Sequence, residues 1–151
     1  MMHQLLEDSI KRHLEETLPL IEQLNGIDIM NRPVAGGREV GELVLHLLRS
    51  LEFYMKGVVT GNWKPLPYNL ETYTTSEAII QLAREVFDRV RADTSRLSAL
   101  DLKRVIKTSG RPGAVGGIIL EMLEHSIHHR GQITVYYRLL GIAPAPISYI
   151  V

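Results

Sequence analysis

The sequence predicts an all-α fold, a four-helix bundle formed by a single domain over residues 1–151. Four long stretches repeat apolar residues at intervals of three or four, which is the period of helices packed along one face. Almost no segment alternates apolar and polar residues as a half-buried strand does. The length of 151 residues matches about one domain. Connections of about a dozen residues join the last three helices, which leaves room for crossover connections.

The four predicted helices cover about residues 2–24, 38–59, 75–97 and 114–140. Each carries apolar residues on one face, and the second helix shows the spacing clearly. Its stripe consists of Val40, Leu43, Val44, Leu47, Leu51, Tyr54 and Val58. Glycine ends three of the helices, because a glycine just past the last turn accepts the left-handed conformation. These glycines are Gly26, Gly61 and Gly141.

The connections between the helices carry signals of their own. Thr74 and Glu77 stand in the sequence Thr-Thr-Ser-Glu, which fits a capping box with Thr74 as the N-cap of the third helix. The loop at 62–68 holds two prolines and several large apolar groups, so we expect it to pack over one end of the bundle. Residues 101–113 form a connector in which Val105-Ile106 favours a short extended piece.

The composition excludes several classes of function. Lys and Arg total 17, as do Asp and Glu, so the net charge is zero and favours neither nucleic acid nor an anionic membrane as a partner. The chain has no cysteine, which excludes a disulfide scaffold, a thiolate metal site and a cysteine nucleophile. No apolar run reaches the ~18 residues of a membrane span, and the N-terminus lacks the pattern of a signal peptide. We therefore expect a soluble cytoplasmic protein.

Histidines are the informative feature of the sequence. On a helical wheel, His125 and His129 fall beside the apolar sector of the fourth helix, whereas His128 falls outside it. Two imidazoles at i and i+4 lie one turn apart, which lets both reach one metal ion. His46 lies at the margin of the apolar face of the second helix. If the two helices pack together, three imidazoles converge and leave open coordination positions, as in a catalytic metal site.

The residues alone leave alternatives open. Histidines at i and i+4 also occur as partly buried residues with backbone or carboxylate partners, and a histidine at the edge of an apolar face is more often a packing residue than a ligand. Imidazole donors suit zinc, nickel, iron or copper and do not choose among them. We expect the remaining histidines, His3 and His13, and the charge of Arg130 to be solvated.

The fourth helix has a second apolar stripe, formed by Leu120, Leu123 and Ile127, on the side away from the histidines. A helix that is apolar on two sides is buried on two sides. A second contact within the bundle or a homodimer interface explains this stripe, and we favour the homodimer.

The stretch that holds the histidine pair carries a family pattern. Residues 125–132 read His-Ser-Ile-His-His-Arg-Gly-Gln, and residues 136–142 read Tyr-Tyr-Arg-Leu-Leu-Gly-Ile. The H-x-x-x-H-R-G-Q pattern resembles the DinB family, the DinB/YfiT-like metalloenzymes. The resemblance extends to His46 within residues 42–48 and to Gly-Asn-Trp at 61–63, and it covers nearly the whole chain.

The resemblance implies a four-helix bundle, commonly dimeric, that holds a divalent metal ion. Carried onto the matching positions, the ligands are His46, His125 and His129, with zinc or nickel as the favoured metal. Characterised relatives include transferases and isomerases that use low-molecular-weight thiols such as bacillithiol or mycothiol. Other members are induced by DNA damage.

Three further side chains are candidates for the wall of a pocket. Gln132 and Tyr136 lie on the histidine side of the fourth helix, and Trp63 lies in the loop after the second. We expect a metal-dependent thiol S-transferase or hydrolase, in which the metal activates a thiol or water. The alternative is a non-catalytic metal-binding or ligand-binding protein, or a structural dimeric bundle, associated with stress.

Overall fold

The computed structural model describes residues 1–108 and 110–148, which contain four long helices, one short helix and a two-stranded hairpin. The helices are α1 (Met2–Glu22), α2 (Val40–Thr60), α3 (Ser76–Arg96), α4 (Ala99–Lys103) and α5 (Val115–Leu139). Strands β1 (Val105–Lys107) and β2 (Pro112–Ala114) pair antiparallel between α4 and α5. The predicted four-helix bundle and the extended piece at Val105-Ile106 are confirmed.

The long helices do not follow one another around the bundle. Helix α2 packs against α3 and α5, and α1 packs against the same two helices. Helices α1 and α2 therefore lie diagonally opposite, as do α3 and α5. An up-and-down bundle would place consecutive helices side by side. Two connections must therefore cross the bundle: residues 23–39, and the segment that holds α4 and the hairpin. The sequence analysis allowed such crossover connections because the connections are long.

Helix α2 contributes more to the core than its predicted stripe suggests. The stripe residues Val40, Leu43 and Leu47 are fully buried, but so are Leu45 and Leu48 on other sides of the helix. A helix that packs against two neighbours needs an apolar surface wider than one stripe. Burying each of these leucines stabilises the fold by about 1.5–3 kcal/mol. This packing fixes the position of α2 against α5, on which the candidate site depends.

The helix ends follow local signals, with two corrections. Helix α1 ends at Glu22 with Gln23 as its C-cap, before the predicted stop at Gly26. Gly61 adopts the left-handed conformation (φ 74°) and its N–H donates to the Gly57 carbonyl, which confirms the predicted end of α2. The N-cap of α3 is Thr75 and not Thr74, because Thr75 Oγ1 accepts the Ala78 N–H at 3.1 Å. A capping box does occur at the unpredicted helix α4, where the Ser98 and Asp101 side chains accept each other's backbone N–H groups.

We call residues 61–75 the strap; within it, the loop at 62–68 packs against the bundle, as predicted for that loop. The Trp63 ring lies directly over Gly57, where a Cβ atom would overlap it, and Trp63 Nε1 donates to the Lys107 carbonyl at 3.1 Å. Further along the strap, the Tyr68 hydroxyl donates to the buried carboxylate of Glu52. These contacts hold the strap against both α2 and the hairpin.

The second apolar stripe of α5 is divided between the core and the surface. Leu123 is buried within the chain, whereas Leu120 is 47% exposed and Ile127 is 40% exposed. The bundle therefore covers only part of this stripe. Within residues 1–108 and 110–148, no helix has the length and hydropathy that a membrane crossing requires.

Candidate metal centre

Three histidines converge between α2 and α5. His46 comes from the middle of α2, and His125 and His129 come from α5. Each offers one ring nitrogen, and these three atoms all lie within 4.8 Å of one another. The Nε2 atoms of His125 and His129 are 3.1 Å apart, and the His46 ring centroid lies 4.4 Å from that of His129. We refer to these three residues as the histidine triad.

The triad follows from local helix geometry and from helix packing together. Residues i and i+4 of a helix present their side chains one turn apart, which places His125 and His129 on one face of α5. Helix α2 packs along that face and brings His46 to it. His129 is 5% exposed, while His46 and His125 are only partly buried, so the triad has one side open to ligands.

Burial keeps the triad uncharged at neutral pH. Desolvation lowers the pKa of His46 to about 4, with smaller contributions from His129, Arg38 and Arg49. Desolvation also lowers the pKa of His125 and that of His129. A metal ion binds only the neutral imidazole. The three imidazoles are therefore available to a metal ion at pH 7 without first losing a proton.

Gln132 sets the orientation of the most buried histidine of the triad. Its Oε1 lies 2.7 Å from His129 Nδ1, and an amide oxygen only accepts, so His129 Nδ1 carries the proton. The lone pair of that ring is then on Nε2, the atom that faces His125. The Gln132 amide Nε2 donates in turn to His128 Nε2 at 3.3 Å. Partners of this kind fix the tautomer of histidines that bind metal ions.

Arg49 is a site residue that the sequence reasoning missed. Its Nη2 lies 3.2 Å from His46 Nδ1 and forms an ion pair with Glu42, and its Nη1 donates to the Tyr68 carbonyl at 2.9 Å. Arg49 thus connects the triad to the strap. The signal was present in the sequence, because positions 42, 46 and 49 share one face of α2.

Two clefts flank the triad. The first, of about 390 Å³, is lined by Arg49, Tyr54, Pro65, Leu66 and His125 among others. The second, of about 790 Å³, is lined by residues of the loop before α2 and of α5, including Arg38, Leu43, His128, Gln132 and Tyr136. The predicted wall residues Gln132 and Tyr136 therefore lie together beside the triad.

Trp63 is placed elsewhere. Its ring lines a separate cleft of about 360 Å³ with Phe53 and residues of β2, and it does not line either cleft beside the triad. Gly57 explains this position, since the absence of a side chain there admits the indole ring against α2. The strap contributes Pro65 and Leu66 to the site instead.

Two residues expected to be solvated are buried, which corrects the sequence analysis. His13 is 2% exposed and Arg130 is 7% exposed. Arg130 Nη1 donates to His13 Nδ1 at 3.1 Å, and His13 Nε2 lies 2.6 Å from Ser126 Oγ. Burial, with a smaller effect of Arg130, lowers the pKa of His13 to about 3. The expectation was wrong because α1 packs against α5 on the side where these residues meet.

His3 and His128 lie outside the triad. His3 is partly buried and its Nε2 contacts the Leu97 carbonyl, so the expectation that it is solvated was wrong. The ring of His128 packs edge-on against that of His129, with centroids 5.1 Å apart, and its Nε2 contacts Gln132. Its position agrees with the helical wheel, which excluded it from the ligand face.

Comparisons with known proteins identify the family. The family model described as the DinB superfamily matches residues 9–133. The Bacillus subtilis protein YjoA is 27% identical over 137 residues, which cover 89% of this chain and 88% of YjoA. The YjoA crystal structure, described as that of a DinB-like protein, superposes with a TM-score of 0.77 at 24% identity, over 93% of this chain and 94% of that one.

Two other solved structures share the fold. A DinB-like protein from Bacillus cereus superposes with a TM-score of 0.79 at 21% identity, over 95% of each chain. Bacillus subtilis YfiT, described as a probable metal-dependent hydrolase with an unusual four-helix bundle topology, superposes with a TM-score of 0.66 at 20% identity, over 91% of this chain and 89% of YfiT. Because the family model spans most of the sequence, this chain belongs to the DinB superfamily.

Proposed function

We propose that the protein binds a divalent transition metal ion at the histidine triad and is a metal-dependent enzyme. The observation that carries this proposal is the convergence of three neutral imidazoles, with their ligand atoms within 4.8 Å of one another. Three protein ligands leave coordination positions for water or substrate, which is typical of catalytic metal sites. The description of YfiT as a probable metal-dependent hydrolase supports the same chemistry.

The proposed reaction is transfer to a thiol or hydrolysis. A bound divalent ion lowers the pKa of a coordinated thiol or water and so supplies a nucleophile at neutral pH. The residues of the chain hold the three imidazoles neutral, fix the His129 ring through Gln132 and keep a cleft on either side of the triad. Because the chain has no cysteine, the thiol of a transfer reaction comes from a low-molecular-weight partner.

The donor set bears on the choice of metal. Three imidazole nitrogens without thiolate or carboxylate ligands suit zinc and nickel, and they also accept iron or copper. We propose zinc or nickel as the physiological ion. Reconstitution of the metal-free protein with each ion, followed by activity assays on thiol and ester substrates, tests this choice.

Elemental analysis of the purified protein tests the site itself. We expect about one equivalent of a transition metal in the wild type and in His128→Ala, and less than a tenth of that in His46→Ala, His125→Ala and His129→Ala. His128→Ala is the matched control, since it removes an imidazole from the same turn of α5. If the wild type holds no metal after reconstitution with zinc and nickel, the proposal is contradicted and the protein is a structural bundle. If the wild type binds metal but shows no turnover, the enzyme proposal is contradicted and the protein is a metal-binding protein.

We further propose that the protein is a homodimer through the exposed side of α5. Leu120 lines an apolar groove of about 550 Å³ together with Leu5 and Met2 of α1, and all three side chains are more than two-fifths exposed. Light scattering should give the mass of a dimer for the wild type and that of a monomer for Leu120→Glu. Leu139→Glu, which changes an exposed leucine outside this groove, should remain a dimer. A monomeric wild type contradicts the proposal.

The family resemblance also leads us to propose a stress-associated role in the cytoplasm. Cell fractionation and quantitative immunoblots before and after DNA damage test this role. We expect the protein in the cytoplasmic fraction and an increase in its abundance after damage. An abundance that does not change with damage contradicts the stress role.

A further inference from the structure

We propose that the cleft lined by Arg38 binds a carboxylate group of the substrate, so that the substrate is a small molecule with a single negative charge at this end. We call this cleft the Arg38 cleft and define it by Arg38, Leu43, His128, Gln132 and Tyr136. The proposal deepens the proposed function, because it assumes that the reactive end of the same substrate lies at the histidine triad.

The first observation is the charge of Arg38. Within residues 1–108 and 110–148, its guanidinium makes no ion pair with a carboxylate, although the neighbouring Arg32 and Arg49 pair with Glu39 and Glu42. The described residues that line the cleft include no Asp or Glu. A guanidinium in a concave site without an acidic partner attracts an anion, and its planar fork matches the two oxygens of a carboxylate.

The second observation is the position of the cleft beside the triad. Gln132 lines the cleft and accepts the His129 Nδ1–H, so one side chain separates the two sites. His128 also lines the cleft, and its ring centroid lies 5.1 Å from that of His129. The wall of the Arg38 cleft therefore includes two residues that contact His129.

The third observation is that the backbone at Arg38 is held in place before any ligand arrives. The Tyr136 hydroxyl donates to the Arg38 carbonyl at 3.1 Å. A Cβ atom at Gly37 would lie 2.8 Å from that hydroxyl, so glycine is what permits the close approach of the loop to α5. Since the loop backbone is already held against α5, ligand binding does not also have to order it.

The cleft fits one negative charge better than two. Arg38 is the one Lys or Arg side chain among the described residues that line the cleft. A carboxylate matches the single positive charge of Arg38, whereas one negative charge of a phosphate dianion would stay without a cationic partner in the cleft. The volume of about 790 Å³ is that of a site for a small organic molecule.

A matched pair of thiols tests the proposal on the zinc-loaded protein. N-acetylcysteine and N-acetylcysteine amide share one skeleton and differ in the carboxylate. By titration calorimetry we expect the wild type to bind N-acetylcysteine about tenfold more tightly than the amide. In Arg38→Gln the preference should fall to about twofold or less, and in Arg91→Gln, a distant exposed arginine of α3, it should stay at about tenfold. An unchanged preference in Arg38→Gln, or none in the wild type, would overturn the proposal.

A second experiment separates this proposal from that of the metal site. Acetate and inorganic phosphate are titrated into the metal-free protein, and backbone amide shifts are followed by NMR. Saturable shifts at Arg38, His128 and Gln132 with acetate, lost in Arg38→Gln and kept in Arg91→Gln, support the cleft even if the triad holds no metal. Tighter binding of phosphate than of acetate, or the absence of saturable shifts, would overturn the assignment to a carboxylate.

Discussion

The amide oxygen of Gln132 lies 2.7 Å from Nδ1 of His129, one turn earlier on α5. This contact fixes both the proton and the rotation of an imidazole that is 5% exposed. The Nε2 lone pair of His129 is thereby directed toward His125. Hydrogen bonds of this kind support the ligands of metal sites in general.

The first prediction concerns this contact. Gln132→Met keeps the length of the side chain but removes its amide, so the His129 ring loses its fixed tautomer. We expect zinc affinity, measured by competition with a chromophoric chelator, to fall by about tenfold to a hundredfold. Gln81→Met, which removes an exposed amide on α3, is the control and should bind zinc as the wild type does. Equal affinities in all three proteins would show that Gln132 has no role in the site.

The second prediction concerns Arg49, whose removal should raise the zinc affinity instead of lowering it. A guanidinium only donates, so His46 Nδ1 accepts from Arg49 in this structure. Binding of a metal through either nitrogen of His46 breaks this contact, since it occupies the lone pair of Nδ1 or places a proton there. Arg49→Met should therefore bind zinc about tenfold more tightly. Arg96→Met, on the exposed end of α3, should leave the affinity unchanged, and weaker binding by Arg49→Met would contradict the argument.

The third prediction concerns the pH dependence of stability. Burial lowers the pKa of His13 to about 3 in the folded protein, from the ordinary value of 6.5 for an exposed histidine. Between these values the unfolded chain binds a proton that the folded chain does not, so the free energy of unfolding falls as the pH decreases from about 6.5 toward 3. The loss from this one group approaches about 1.4 kcal/mol per pH unit.

Urea denaturation of the metal-free protein between pH 4 and pH 7 measures this effect. His13→Gln has no group that titrates at this position, so its stability should depend less steeply on pH than that of the wild type. Gln81→Met, which changes no titratable group, should keep the wild-type slope. If His13→Gln shows the full wild-type slope, the acid sensitivity comes from other groups.

The fourth prediction uses two helical glycines with opposite expected effects. An alanine at Gly57 would overlap the Trp63 ring, whereas an alanine at Gly117 meets no atom within 4 Å. Gly57→Ala should lower the free energy of unfolding by about 1–2 kcal/mol, because the strap has to move. Gly117→Ala should raise it by about 0.5–1 kcal/mol through helix propensity. Thermal and urea denaturation measure both, and a stabilised Gly57→Ala would show that the strap is not held by this contact.

Local sequence patterns determined the four long helices and the two histidines of the triad that share one of them. The spacing of apolar residues reports the helix period directly, and Gly61 ends α2 because the end of a helix depends on the conformation of one residue. His125 and His129 lie on one face because they are four positions apart. The N-cap of α3 was harder to assign, because Thr74 and Thr75 are adjacent and both carry a hydroxyl. Only the observed hydrogen bond identifies Thr75 as the N-cap.

Only the tertiary structure decided which helix faces meet, and with them the surroundings of the site. His13 and Arg130 are far apart in the sequence and looked like surface residues, but the packing of α1 on α5 buries both. Trp63 fills the space above Gly57 instead of lining a cleft near the triad, which no local spacing of the loop specifies. The physical reason is that helix periodicity depends on neighbours three or four residues apart, whereas burial and charge environment depend on contacts between segments that only the crossover topology brings together.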